Sequence, residues 1–286
     1  MSKIKLLDGA MGTELIHRGI SLSTPVWSAD ANINNSEIVY QIHADYVASG
    51  SDYIIANTFR TTKRFYVKLG LSSNDAMIMA KTSLKSSVRL AKKASCENTK
   101  ILGSIAPLED CYMPSLFPGP QIAKQEFSEI GNLLVQEEID GFILETMNNM
   151  QETQVCLEVI SQYNLPIWVS YNLSSSSNLL SGENLTDGLK ILEEYPVSCV
   201  LLNCNPLDRT MKGINIIEKY WKKEWGIYPN LGIGEPAPDG IIKKFHSDSD
   251  FLDLMNKAVE LGANVLGGCC GSTPHHIKIL KEHFVD

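Results

Sequence analysis

The 286-residue sequence predicts an α/β protein, and within that class a single eight-stranded (β/α)8 barrel, a TIM barrel occupying residues 1–286. Three observations carry the prediction. Short runs rich in Ile, Val and Leu alternate eight times with longer segments of helical period. Most runs are apolar at successive positions, which suits strands buried on both faces of a parallel sheet. Eight strand–helix units in 286 residues give about 36 residues each, which suits a closed barrel. The competing architecture, a doubly wound open sheet, usually carries a Gly-x-Gly-x-x-Gly phosphate loop after its first strand. Here that turn reads Asp8-Gly9-Ala10-Met11-Gly12-Thr13 and lacks the pattern.

The predicted strands are Ile4–Leu7, Tyr53–Ala56, Ile101–Ile105, Gly141–Leu144, Ile167–Ser170, Cys199–Leu202, Gly226–Ile233 and Asn264–Leu266. The first helix after them, Ser36–Ser49, places Ile38, Val39, Ile42, Tyr46 and Val47 at helical spacing. Ser36 suits its N-cap, and Gly50 its C-terminal stop. Asn74–Lys93 turns basic toward its end, where cations suit the helix dipole. Phe127–Glu138, Met150–Tyr163, Thr186–Glu194, Met211–Trp225, Ser249–Leu261 and Pro274–His283 complete the set. Gly262 stops the seventh, and Pro274 opens the eighth where a missing N–H costs nothing. No Pro-, Gly- or Ser-rich linker divides the chain. The long irregular segment Ala106–Pro120 holds four prolines and follows the third strand, which would put it on the top face.

Composition narrows the function. An apolar fraction of 44% and a charged fraction of 20% support a sizeable core. A net charge of −8 gives no electrostatic reason to bind nucleic acid or an anionic membrane. No apolar run approaches the roughly 18 residues of a membrane span. The apolar stretch after Lys5 is too short for a signal-peptide core. Seven cysteines, two of them adjacent, do not form the even, spaced framework of a secreted disulfide protein. The expected compartment is therefore the cytoplasm.

Barrel chemistry sits at the C-terminal ends of the strands. The polar residues expected there are Asp8, Asn57, Glu145, Tyr171-Asn172, Asn203-Cys204, Glu235 and Cys269-Cys270. Cys156 and Cys199 fit apolar patterns and read as small buried hydrophobes. Cys96 and Cys111 lie in loops with no partner in sequence. Cys204, Cys269 and Cys270 each follow a strand, and flanking Gly267-Gly268 and Gly271 free the backbone to turn adjacent side chains to one centre. Three convergent thiolates suit Zn2+ and leave one tetrahedral position open, as catalytic zinc sites do. Spacing alone equally admits a redox pair at Cys269-Cys270 or plain buried thiols. His275 and His276 open a helix and read as structural or exposed.

The segment Gly267-Gly268-Cys269-Cys270-Gly271-Ser272-Thr273-Pro274-His275-His276-Ile277 closely resembles the C-terminal signature of the homocysteine S-methyltransferase family. Asp8–Thr13 resembles its opening motif, and Ala56-Asn57-Thr58-Phe59 its second-strand motif. Glu145-Thr146, Asn203-Cys204 and Tyr228-Pro229-Asn230 match later ones. The resemblance implies that Cys204, Cys269 and Cys270 hold Zn2+ and that Asp8 and Glu145 hold the amino-acid end of homocysteine. It places Gly9 and Asn57, in the matched motifs, at the substrate site. Trp27 falls where betaine enzymes carry a tryptophan near the methyl donor, and it reads equally as a packed loop aromatic. Phe117 joins it as a donor-side aromatic on the Pro-rich loop, with Phe59, Tyr112 and Tyr171 also expected near the mouth.

The implied reaction moves a methyl group from a small onium donor (betaine, S-methylmethionine or another sulfonium) to homocysteine, giving methionine. Its partners would be small molecules, with no nucleic acid and no membrane; a homo-oligomer is compatible. Two departures bear on the donor and on assembly. The third strand is followed by Ala106-Pro107-Leu108-Glu109-Asp110-Cys111-Tyr112, where S-methylmethionine enzymes usually carry a Gly-Pro-Tyr-Gly-like sequence. The C-terminal extension of animal betaine enzymes is absent. The alternatives are an acceptor module served by a separate cobalamin or folate partner, and a zinc or thiol sensor without turnover. Two acids at the thiol mouth favour an enzyme over a sensor, and an all-thiolate ligand set is a poor activator of water.

Overall fold

Strands β1 (Lys5–Leu6), β2 (Tyr53–Ala56), β3 (Lys100–Ile105), β4 (Gly141–Met147), β5 (Ile167–Tyr171), β6 (Val197–Asn203), β7 (Glu224–Tyr228) and β8 (Val265–Leu266) form one parallel sheet. Their hydrogen-bonded order is β1-β8-β7-β6-β5-β4-β3-β2. The ring closes through a parallel bridge between Leu7 and Tyr53, with Asp52 N–H donating to Leu6 O. This is the (β/α)8 barrel. The computed structural model describes residues 3–175, 177–233 and 244–286. Among them no helix is long and apolar enough to cross a membrane.

The helices are α1 (Met11–His17), α2 (Ala31–Asn34), α3 (Ser36–Ala48), α4 (Lys63–Lys68), α5 (Ser73–Ala94) and α6 (Pro120–Gln136), followed by α7 (Met150–Ile160), α8 (Leu185–Leu192), α9 (Leu207–Tyr220), α10 (Asp248–Glu260) and α11 (Pro274–Phe284). Short α1, α2 and α4, absent from the predicted helices, have too few turns to show a period. Asn35, not Ser36, sits at the N-cap of α3, and its side chain makes no cap bond. Helix α6 starts at Pro120, seven residues before the predicted start, because proline is tolerated in a first helical turn. Helix α9 ends at Tyr220. Trp221 turns extended and its ring Nε1 donates to Glu224 O, so Trp225 belongs to β7 rather than to the helix. Strand β7 is accordingly Glu224–Tyr228, not Gly226–Ile233. Gly50 and Gly262 adopt left-handed φ values of 106° and 100° at the two predicted helix stops.

Two cores result. The larger lies between sheet and helices and includes Phe127, Phe142, Tyr171, Leu202, Trp225 and Phe251. The smaller fills the barrel itself with Leu7, Leu102, Ile143, Trp168, Leu201 and Tyr228 among others, and Cys269 packs against it. At the N-terminal end of the barrel Lys5 pairs with Glu224 at 2.6 Å. The chemistry is left to the opposite rim.

Candidate active site

The loops leaving β6 and β8 bring three thiols together. Cys204 Sγ lies 2.7 Å from Cys269 Sγ and 3.5 Å from Cys270 Sγ, and all three sulfurs fall within 4.8 Å of one another. Backbone contacts fix this meeting. Cys204 N–H donates to Tyr228 O, Cys269 N–H to Pro229 O, and Leu231 N–H to Cys270 O. Gly268 N–H donates to Asp8 O, which ties the thiol loop to the end of β1. Cys204 holds a φ of 53°, unusual for a residue with a side chain, and this turns it out of strand register.

The thiols share charge unevenly. Cys270 is held well below the usual thiol range by hydrogen bonds from Cys204 and Cys269. Cys269 is raised by those same two sulfurs and by burial. Cys204 is lowered by its bond to Cys269, but the Cys270 sulfur and burial outweigh that and raise it. A cation at the centre would relieve this mutual repulsion. Tetrahedral bonds of about 2.3 Å to zinc separate sulfurs by about 3.8 Å. The 2.7 Å pair would open by about an ångström to admit the ion. Among the described residues no other group of three His, Cys, Asp or Glu side chains is placed to hold a metal.

Two acids face the same space, Asp8 buried and Glu145 half-buried. Glu145 belongs to β4 itself, which continues through a bulge to Met147, rather than lying after the strand. Its Oε2 accepts a short hydrogen bond from Ser104, and Tyr228 donates to Oε1 at 3.3 Å. Burial, assisted by the nearby Cys204 sulfur, lifts its carboxyl to about 7. Asp8 is 3% exposed. Its Oδ2 accepts from Ile55 N–H at 2.9 Å, whereas its buried Oδ1 has no partner. Burial first, and then the charge of Glu145, raise this carboxyl well above the carboxylate range. An unpaired buried oxygen beside a second acid is a place for a cationic donor such as an ammonium group.

The remaining predicted residues divide. Asn57 is pinned by loop contacts: its Nδ2 donates to Ser28 O and Asn32 Oδ1, and its Oδ1 accepts from Ser28 Oγ at 2.6 Å. It offers a ligand only the second lone pair of that oxygen. Gly9 lies beneath Tyr46 and Ser272, and a Cβ there would come within 2.7 Å of both hydroxyls. Fully buried Tyr46 cannot retreat, and its hydroxyl also donates to Ala10 O. Gly9→Ala should therefore cost about 1–3 kcal/mol and lower the melting temperature by several degrees. An unchanged thermal denaturation midpoint would contradict this packing account.

Trp27 is half-buried with φ 51°, its indole Nε1 against Gly12. Phe117 packs against the outer core. Tyr171, expected near the mouth, lies beneath α8 instead and its hydroxyl donates to Gly188 O. On the β3–α6 loop Tyr112 is 56% exposed, and its phenol lies near enough to the thiols for the Cys204 sulfur, with Cys269 and Cys270, to raise it well above the usual phenol range. The stem of that loop is anchored, with Leu108 N–H donating to buried Glu152 and Glu109 paired to Arg64. His276 caps α11 through Thr273 and, with His275, pairs with Asp248, a structural role. Glu235 lies outside the described residues.

Tyr228 and Ser104 were not singled out from sequence as partners of an acid. Ser104 did carry a signal, a hydroxyl inside an otherwise apolar strand.

A homocysteine S-methyltransferase family model matches residues 5–284. The chain belongs to that family. It is accordingly a methyltransferase. The homocysteine S-methyltransferase of Escherichia coli (strain K12) is 28% identical over 97% of this chain and 94% of its own length. A selenocysteine methyltransferase of Astragalus bisulcatus is 26% identical over 96% of this chain and 90% of its own. The metallated form of the Escherichia coli homocysteine methyltransferase MmuM superposes with a TM-score of 0.83, at 26% identity over 98% and 96% of the two chains.

Proposed function

We propose that this methyltransferase is zinc-dependent and moves a methyl group from a small onium compound to homocysteine, forming methionine. The observation that carries the proposal is the meeting of three thiols with two acids, of which the buried Asp8 keeps an unpaired oxygen. A metallated relative of the same fold supports a metal at the thiols. Zinc there would hold the homocysteine sulfur as a thiolate at neutral pH, where a free thiol is mostly protonated.

The chain's own residues do the rest. Asp8 and Glu145 receive the substrate ammonium, Asp8 through its free Oδ1. Burial raises both acids, and an arriving cation restores their ionised forms. Ser104 and Tyr228 hold the Glu145 carboxyl in place. On the donor side, methyl transfer disperses the charge of the onium, so a dry aromatic setting favours the transition state over a hydrated one. Trp27, Tyr112 and Phe117 are the aromatics proposed for that face.

Cation–π contact with a desolvated onium is worth about 2 kcal/mol, or roughly 30-fold in affinity. Trp27→Leu or Phe117→Leu should raise the donor KM by about that factor and leave the homocysteine KM nearly unchanged. Equal effects on both substrates would contradict the donor-side assignment.

The whole proposal is tested with zinc-loaded protein and homocysteine against betaine, S-methylmethionine, another sulfonium, S-adenosylmethionine, methylcobalamin and methylfolate in parallel. The expected result is methionine from betaine or a sulfonium with no second protein. Turnover only with methylcobalamin or methylfolate would replace it with the partner-dependent reading. Metal binding without turnover from any donor would leave a sensor.

A further inference from the structure

We infer that Asn203 is a positioning residue: it staples the bulge of β4 that directly follows Glu145, and so fixes the backbone that sets that acid relative to the adjoining thiol of Cys204. The inference deepens the proposed function and rests on its assignment of Glu145 to homocysteine.

The bulge is visible in the strand register. Leu144 pairs with Val169 and Met147 with Tyr171, so Glu145 and Thr146 together oppose Ser170 alone. Ile143 faces the barrel interior and Leu144 the outer core, so Glu145 points inward by strand alternation, and the extra residue after it leaves backbone groups without ladder partners. Thr146 also adopts a φ of 56°, a conformation that β-branched residues rarely hold. Such a bend persists only if the surroundings fix it.

Asn203 supplies the fixing. From the end of β6 its side chain reaches across β5 to β4. Thr146 N–H donates to Asn203 Oδ1 at 2.9 Å, and Ser170 Oγ donates to the same oxygen at 2.7 Å. Asn203 Nδ2 returns a bond to Thr146 Oγ1 at 2.9 Å. The arrangement sets the amide's orientation, because the reverse would face an NH2 group against a backbone N–H. Aspartate lacks the donor and would add a buried charge close to Glu145, and an aliphatic residue would orphan three polar groups. Asn203 is 1% exposed and also lies in register with Tyr228, whose hydroxyl donates to Glu145. One residue therefore touches the bulge before which Glu145 sits, while its chain neighbour carries a thiol of the trio.

The test uses full-length protein loaded with cobalt(II), whose sulfur-to-metal charge-transfer bands report the thiols and shift when homocysteine binds. Asn203→Ala should keep about one metal per chain and the same bands, yet need roughly tenfold more homocysteine for the shift. Thr146→Val, which removes one bond of the staple, should show a smaller weakening. Adding Thr146→Gly to Asn203→Ala should recover part of the affinity, since glycine holds a positive φ unaided. A merely structural role predicts further loss on adding glycine. The inference is overturned if Asn203→Ala binds homocysteine as the wild type does, if it loses the metal, or if the double variant binds more weakly than the single. Should Asn203→Ala not fold, unchanged affinity in Thr146→Val overturns it alone. Failure of the wild-type protein to bind homocysteine would instead strike the proposed function.

Discussion

Cys270→Ser is expected to lose its metal. Cys270 is one of the three sulfurs that meet at the site, 3.5 Å from Cys204. A serine hydroxyl stays protonated at neutral pH and cannot replace it. Zinc sites release about 10–16 kcal/mol over four ligands, or about 3 kcal/mol each. Removing one thiolate should therefore weaken zinc binding by roughly 150-fold and abolish methyl transfer with it. Metal analysis after dialysis against a chelator reads the effect. Full zinc content with full activity in this variant would remove Cys270 from the site. The apoprotein should keep its fold, because both hydrophobic cores are built without the ion.

Glu145→Gln should do the reverse, retaining zinc and losing homocysteine. Glutamine has the shape to keep the Ser104 and Tyr228 contacts but cannot pair with an ammonium as an anion. A charge-assisted hydrogen bond of about 1.5–3 kcal/mol translates into a roughly 10- to 150-fold rise in homocysteine KM. The pH profile adds a second mark. The Glu145 carboxyl is raised by burial to about 7, so it is protonated below that pH and ionised above it. Its attraction for the ammonium therefore grows as pH rises through about 7 and then levels off. In the glutamine variant this part of the pH dependence should vanish. A variant that lost zinc, yet bound homocysteine normally once reloaded, would show that the acid serves the metal instead.

The barrel was legible because its signal is repeated: eight apolar runs at regular spacing leave few other architectures. The thiols were legible for a different reason. Cysteine is uncommon in loops, and three at strand ends stand out against polar residues that any strand end might carry. What could not be read was local geometry. Glu145 points inward by strand alternation, but the backbone just after it is held by a bulge at Thr146, and bulges leave no periodic trace. The bonds from Tyr228 and Ser104 cross strands far apart in sequence. Tyr171 occupies the position of a mouth residue but points outward beneath α8, since strand alternation decides its side. Tyr112 comes near Cys204 from a loop whose course is set by Glu152, Arg64 and Asn148, three contacts that composition does not suggest.

The central claim is that the three thiols hold a zinc ion whose remaining position takes the homocysteine sulfur. X-ray absorption at the zinc edge tests it directly on the purified protein. Without substrate the first shell should contain three sulfurs at about 2.3 Å and one lighter atom. With saturating homocysteine it should contain four sulfurs at that distance. A first shell with fewer than three sulfurs, or one that homocysteine leaves unchanged, would contradict the account.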